Sequence, residues 1–573
     1  MRYFFLTFLT LSLATVMSAQ PVLVHTHDMM NRRPTESYSH LGQEKWSSLE
    51  PIHSHDTLIP TLSLLPHDLP EDQRQPFYPR IKALRDGRYI MFWQGGQISS
   101  RVYYAHSSDL LHWGKAVRMY GPHQVQVGKN KPYRRYMTAD AIVLKTGELI
   151  NVTSFRSDMY SSGKGCGIMI RRSRYNGDEW NNMAVIYEGP NWEPYLLELP
   201  DGTLQCYFTD AKPQTSNSGT SMIESYDGGY TWTKKKRVCR QFKYYHMEER
   251  IYTDQMPSFR VLADGKTVFG FLEARLEKQG YGTGSSFAMS LVYNDAYKWE
   301  GLTGENEGPS ERKTNAFTGS AGYVSVFPSG EVVISCGIGR LLSLKVGDGM
   351  AQKFNGKNWE SDWLRPFERK GLWGSTEVID PHHIAWTMEC NEGIQIGVGY
   401  LNHTIDAEQQ SVVIDGDARE WEATDALFIG SDSPVETVFR ASYDENNLYI
   451  SAESVDDARN AVVNFIVHDA SVKKPSAGSS VSVTLDASGL VAVDGYHKSA
   501  AVDGIDVKVR EGRTVAGRSG FVAETVIPLS ALGVSKGATL AFFAEVSTPT
   551  GIKDTFFGIN RSKPDTWQRI YLK

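Results

Sequence analysis

A motif that recurs along the chain limits what this sequence can fold into: a strand-like run, a tight turn, and a second strand-like run. It reads Ile81-Lys-Ala-Leu-Arg-Asp86-Gly87-Arg-Tyr-Ile90, then Ile142-Val-Leu-Lys-Thr-Gly147-Glu-Leu-Ile150 and Leu196-Leu-Glu-Leu-Pro-Asp201-Gly202-Thr-Leu204. It returns as Arg260-Val-Leu-Ala-Asp264-Gly265-Lys-Thr-Val268 and Val326-Phe-Pro-Ser-Gly330-Glu-Val-Val333. A sixth copy, Glu377-Val-Ile-Asp380-Pro-His-His-Ile-Ala-Trp386, lacks the glycine. Asp-Gly between apolar runs is a hairpin signal, and a spacing of roughly 50–65 residues suits one four-stranded propeller blade per copy. Six copies predict six blades; five, seven or eight follow if a copy is missed or over-read.

A second motif recurs in phase with the first. Its fullest copy is Ser225-Tyr-Asp227-Gly-Gly-Tyr-Thr231-Trp232, with weaker ones at Ser107–Trp113, Ser173–Trp180 and Asn294–Trp299. The Asp carboxylate can accept backbone N–H groups in a tight turn, and the Trp is expected to pack between neighbouring sheets. This resembles the Asp-box of the sialidase superfamily, which marks the outer hairpin of a blade and carries no chemistry.

The repeat stops near His403. Val412-Val-Ile-Asp415-Gly416-Asp-Ala-Arg-Glu-Trp421 and Phe439-Arg-Ala-Ser-Tyr-Asp444-Glu-Asn-Asn-Leu-Tyr449-Ile then open a different pattern of short strands. It resembles the family 9 carbohydrate-binding-module-like sandwich, which implies either a sugar-binding or a purely packing module. The expected fold is all-β: a six-bladed β-propeller followed by an immunoglobulin-like/jelly-roll-type β-sandwich. A chain of 573 residues exceeds one core. The expected units are a leader at 1–19, a lead-in segment at 20–74, the propeller at 75–405 and the sandwich at 410–573.

Arg2, the apolar run that follows it to about Val16 and a cut after Ala19 read as a cleavable export signal, so a secreted or periplasmic protein is expected. That run is too short to span a bilayer, and none later is long enough. The net charge of −6 argues against nucleic acid as a partner. The five cysteines, Cys166, Cys206, Cys239, Cys336 and Cys390, show no metal-like pairing and read mostly as small buried residues. His25/His27 and His53/His55 have ligand-like spacing without a third partner nearby, and His382-His383 reads as structural. No metal and no cofactor are expected.

A propeller gathers its inner strands at one mouth. Counting back from each turn picks out Arg80, Asp140, Glu193 and Asp254; counting forward picks out Gln94, Arg156, Asp210, Glu273, Arg340 and Glu389. Charges that close apolar strands are costly unless paired or used; a structural network of ion pairs is the plainer alternative. Glu193 and Glu273 are the candidate catalytic pair, since glycoside hydrolysis usually needs two carboxyl groups. Arg80, Asp140, Arg156, Asp210, Asp254 and Arg340 are candidates for substrate binding.

Tyr78-Pro79-Arg80, Trp192-Glu193-Pro194 and Met256-Pro257 with Glu273 are similar to motifs of the exo-α-1,5-L-arabinanase family. That resemblance implies a retaining, exo-acting glycosidase with glutamates at 193 and 273 and an oligo- or polysaccharide substrate. Two other readings stay open. Arg80, Arg275 and Arg340 could form the carboxylate clamp of an exo-α-sialidase or of a uronate-directed glycosidase. Alternatively, the propeller could bind glycan without catalysis.

Overall fold

A computed structural model of the chain describes residues 22–23, 47–51, 57–60, 75–96, 101–210, 219–239, 250–278, 286–298, 311–348, 363–421, 424–430, 435–456, 461–494, 502–514 and 519–573. The leader, His25, His27, His53, His55, Trp299 and the side chain of Arg275 lie outside the described residues. Six antiparallel sheets form the blades of a propeller. Their inner strands are Pro76–Ala83, Tyr133–Val143, Trp192–Glu198, Arg250–Val261, Ser320–Val326 and Gly371–Val378.

The repeated turns are built alike. Gly87, Gly147, Gly202, Gly265 and Gly330 all take positive φ, between 65° and 101°, a region glycine enters without a Cβ penalty. Each donates its N–H back three residues, to Leu84, Leu144, Leu199, Leu262 or Phe327. The sixth turn manages without glycine because Asp380 Oδ1 accepts the backbone N–H groups of His382 and His383.

Blades stick to their neighbours through apolar faces. Phe92 and Tyr104 of blade one meet Tyr136 and Phe155 of blade two. Ile150 and Ile168 meet Leu196 and Phe208, and Tyr207 meets Phe259 and Leu272. Phe271 meets Val324 and Ile334; Val333 and Leu344 meet Ile384 and Trp386; Ile396 and Tyr400 return to Met91 and Trp93. Trp180 stands edge-on to Phe92 and Tyr104, between the first two sheets. Asp227 collects the N–H groups of Tyr230 and Thr231 and the hydroxyls of Ser225 and Thr231, which hold its carboxyl well below the usual carboxylate range. Cys166, Cys206, Cys336 and Cys390 are buried free thiols.

The sixth blade departs from the expected boundaries. Ser48–Pro51, from the segment assigned as lead-in, pairs with Gly393–Asn402 and joins the first part of the chain to the last blade. At the other boundary, Ile405–Gln409 pairs in parallel with both Glu436–Tyr443 and Gln568–Leu572, so it already belongs to the sandwich. One layer of the sandwich contains Asp506–Thr514, Ser519–Pro528, Asn447–Val455, Glu436–Tyr443 and Ala426–Ile429. The other contains Gln568–Leu572, Thr539–Ser547, Val462–Asp469, Ser480–Asp486 and Gly489–Asp494. Phe439, Phe465, Phe542 and Phe556 fill the space between them.

Every residue of Glu436–Tyr443 is buried, without the usual alternation. The reason is that this strand has two partners: Phe439 faces the sandwich core, while Val438 packs with Tyr400 and Ile396 of the propeller. Among the described residues, no helix is long and apolar enough to cross a membrane.

Leu49 on the joining strand is 2% exposed and packs with Leu401 and Trp386. Leu49→Ala should cost about 2–5 kcal/mol, measured as a lower urea midpoint with an unchanged slope. A midpoint equal to that of the parent would mean the strand does not hold the ring.

Candidate active site

Each inner strand contains one non-glycine residue in the left-handed region: Tyr78, Thr138, Glu193, Met256, Ala321 and Trp373, with φ between 47° and 55°. At every one of them the pairing with the second strand slips. These are β-bulges, one per blade, and they re-aim side chains at the rim. Four of the bulge N–H groups are taken up by side chains on the second strand of the preceding blade. Gln94 Oε1 accepts from Thr138 N at 3.0 Å, Thr209 Oγ1 from Met256 N at 2.8 Å, Glu273 Oε2 from Ala321 N at 2.7 Å, and Glu389 Oε2 from Tyr78 N at 3.2 Å. Those four acceptors hold one register position, opposite Phe77, Trp192, Gln255 and Leu372.

Four of the bulge residues, Tyr78, Thr138, Glu193 and Met256, line one depression together with Arg80, Asp140, Tyr195 and Tyr323. Glu193 is half-buried and Glu273 buried. Glu193 Oε1 accepts from Tyr78 Oη at 3.1 Å and Oε2 from Thr209 Oγ1 at 3.0 Å. Glu273 Oε1 accepts from Gln255 Nε2 at 2.6 Å, and Oε2 from the Ala321 amide already mentioned. Desolvation first, and the negative charge of Glu273 second, push the Glu193 carboxyl up to about 8. The two glutamates, on adjacent blades, are therefore electrostatically coupled. Glu273, with an N–H donor on each oxygen, has the set that suits a carboxylate anion.

An aromatic wall missing from the sequence assignment stands beside Glu193. Tyr78 stacks on Trp373 with ring centroids 4.7 Å apart and accepts from Trp192 Nε1 at 3.3 Å. Burial, then Glu193, raises the Tyr78 phenol well above its ordinary value, so it remains a donor. One signal for this wall is present in the sequence: three of the six bulges are X-Pro steps, Tyr78-Pro79, Glu193-Pro194 and Met256-Pro257.

The remaining candidates separate. Asp140 and Arg80 reach the depression from its floor. Asp140 accepts from Tyr323 Oη at 3.0 Å and lies 3.5 Å from Lys82 and 3.8 Å from Arg80. Arg80 Nη1 donates to the carbonyls of Pro79, Trp373 and Gly374. Lys82 also pairs with Glu377 at 3.2 Å. Burial works against its ammonium, but Asp140 and Glu377 outweigh that and hold its proton more tightly than usual.

Arg156 is further round the rim, its guanidinium 3.8 Å from the Trp192 ring centroid, and donates to Asn191 O. Arg340 is exposed on a turn, close enough to Glu389 to favour its charged form. Asp210 is tied to Ser221, Lys235 and Arg237 on the outer strands of blade three. Asp254 is buried two residues before the fourth bulge residue, Met256, and is not among the residues that line the depression. Glu389 is buried; desolvation pushes its carboxyl up to about 9 against the opposing pull of Tyr78 N, Arg80 and Arg340.

No family model matches the chain, and no curated protein matches it. Solved structures do. The Penicillium chrysogenum α-L-arabinanase complexed with arabinobiose is 17% identical, covering 60% of this chain and 97% of its own, with a TM-score of 0.41. The GH93 α-L-arabinofuranosidase of Fusarium graminearum with arabinobiose is 16% identical, covering 60% and 97%, with a TM-score of 0.43. A family 9 carbohydrate-binding module from Caldicellulosiruptor kristjanssonii in complex with cellotriose is 16% identical, covering 30% and 93%, with a TM-score of 0.25.

Two outcomes follow from the electrostatics. Glu273→Gln removes the repelling charge and should lower the titration of Glu193 from about 8, whereas Tyr78→Phe removes a bond that favours the anion and should raise it. Isotope-edited infrared of the carboxyl stretch reads both, and an unmoved titration in both variants would contradict the pairing. Glu389 has a folded value raised to about 9 above an ordinary value near 4.5. Its contribution to stability is therefore complete below the ordinary value and is lost as pH rises through about 9. Glu389→Gln should flatten the decline in urea stability across that window; an unchanged slope would show that the residue does not titrate there.

Proposed function

We propose that this chain is an exo-acting, retaining glycoside hydrolase, with Glu193 as general acid/base and Glu273 as nucleophile, acting on an arabinan-like pectic side chain. The observation that supports this reading best is the pair itself: two glutamates on adjacent blades, electrostatically coupled, one kept protonated and the other held by two N–H donors. In the first step Glu193 protonates the glycosidic oxygen while a Glu273 oxygen attacks the anomeric carbon. The leaving sugar departs and a glycosyl ester forms on Glu273. Glu193, now a carboxylate, takes a proton from water, which cleaves the ester and restores both groups. Tyr78, Trp192 and Trp373 offer flat faces for the sugar ring, and Tyr78 Oη holds the acid in place.

The choice of arabinan comes from the resemblance of the Tyr78–Arg80, Trp192–Pro194 and Met256–Pro257 motifs. A leader at 1–19 fits an enzyme that meets a polymer outside the cytoplasm. The Arg80 Nη1 group is directed at three carbonyls and Arg340 lies on an exposed turn, which favours a neutral sugar over a carboxylate-clamping site.

Product analysis on linear arabino-oligosaccharides tests the proposal. Glu193→Gln should lower turnover by about 10²–10⁴-fold yet spare the first step on aryl glycosides whose leaving group needs no proton, giving a burst of the phenol followed by slow hydrolysis of the glycosyl ester. Glu273→Gly should fail on both and recover with azide as a glycosyl azide. Wild-type turnover in either variant removes that residue from the chemistry, and release of no sugar from any glycan by the parent leaves a binding propeller.

A further inference from the structure

Far from the mouth, where the sixth blade meets the sandwich, His382, His403 and Asp425 form a cluster that glycoside hydrolysis leaves unused. His382 sits in the glycine-free turn, His403 follows Gly393–Asn402, and Asp425 stands immediately before Ala426–Ile429 of the sandwich. One nitrogen of each ring and a carboxylate oxygen all lie within 4.8 Å of one another, and the histidines are 7% and 3% exposed.

Hydrogen bonding fixes how the rings present themselves. His382 Nδ1 is 3.3 Å from Leu401 O, and His403 Nδ1 is 2.6 Å from Thr404 O. A carbonyl can only accept, so both Nδ1 atoms carry hydrogen and each Nε2 is left to act as a donor only if the ring is charged. A ring Nδ1–H on a backbone carbonyl is also the usual backing of a metal-bound histidine. His382 Nε2 lies 3.4 Å from Asp425 Oδ1. At this separation a lone pair and a carboxylate oxygen repel each other, and a cation between them, a proton or a metal ion, relieves that repulsion. A shared proton draws such a pair to about 2.7–2.9 Å. A tetrahedral ion about 2.0–2.1 Å from each ligand spaces them by roughly 3.3 Å. The two rings are stacked, 4.8 Å apart and 11° from parallel, so protonating both would set like charges face to face.

We propose that His382, His403 and Asp425 bind one divalent first-row transition ion, Zn²⁺ by the preference of two imidazoles and a carboxylate, as a clamp between propeller and sandwich. The ion draws His403 inward from the 4.8 Å spread, and water takes the fourth position. The clamp reinforces a seam otherwise fastened by Tyr400 Oη on Ala426 O at 2.7 Å and by the paired bonds of Asn402 with Phe428.

The test uses the untagged full-length chain, stripped with a chelator and dialysed against Zn²⁺. One equivalent by elemental analysis, a Zn²⁺-dependent rise in the unfolding midpoint, and the visible bands of four-coordinate Co²⁺ are expected. Asp425→Asn and His403→Gln should each lose all three while keeping the parent far-ultraviolet circular dichroism. A chain with His25, His27, His53 and His55 replaced by Asn should keep them. If the parent takes up no Zn²⁺ and its midpoint does not move, or if the first two variants retain the full equivalent, the proposal is overturned and a proton bridges His382 and Asp425.

Discussion

Holding an L-residue in the left-handed region costs on the order of 1–3 kcal/mol, and this propeller does so six times around one ring, at Tyr78, Thr138, Glu193, Met256, Ala321 and Trp373. Strain of that size persists only where the surroundings over-determine the conformation. The surroundings here are the neighbouring blades. An amide turned out of its own sheet by the bulge finds its acceptor on the blade before it, at Gln94, Thr209, Glu273 or Glu389. Each blade thus shapes the rim of the next. Glu273 serves both purposes: it secures the bulge of blade five and raises the proton affinity of Glu193 on the neighbouring blade.

Beneath the rim, opposite charges cancel. Arg80, Lys82, Asp140, Glu377 and the Tyr323 hydroxyl form a nearly dry network along the axis. Burying such groups is tolerable only because they satisfy one another. With the cations engaged below, the proton affinity of Glu193 is set chiefly by desolvation and by Glu273. Such an arrangement pushes the behaviour of two like groups apart, which acid–base catalysis needs.

The repeat made most of the fold legible in the sequence, because turn chemistry is local: Asp86-Gly87 and its relatives announce themselves residue by residue. The six seams follow, since apolar strands at that spacing need neighbours. Two features resisted. Ser48–Pro51 carries no copy of the repeat, so its place in blade six depends on a partner far along the chain. The positions counted back from the turns were also not equivalent. In the blades with a turn glycine the bulge residue lies nine places before it, so Arg80 and Asp140 come two places after their bulges, Glu193 lies on its own and Asp254 two places before. Asp210, adjacent to the rim residue Thr209, consequently faces Lys235 and Arg237 on the outer strands.

That joining strand also bears on how the molecule comes into being. Ser48 and its partner Asn402 are 354 residues apart, so the ribosome delivers one long before the other. Five blades can stack as they emerge, each on the last, while the earliest strand waits with its edge bare. An unpaired edge of that kind invites intermolecular pairing. The growing chain is therefore most exposed to aggregation during synthesis, and it becomes safe only when the last blade arrives.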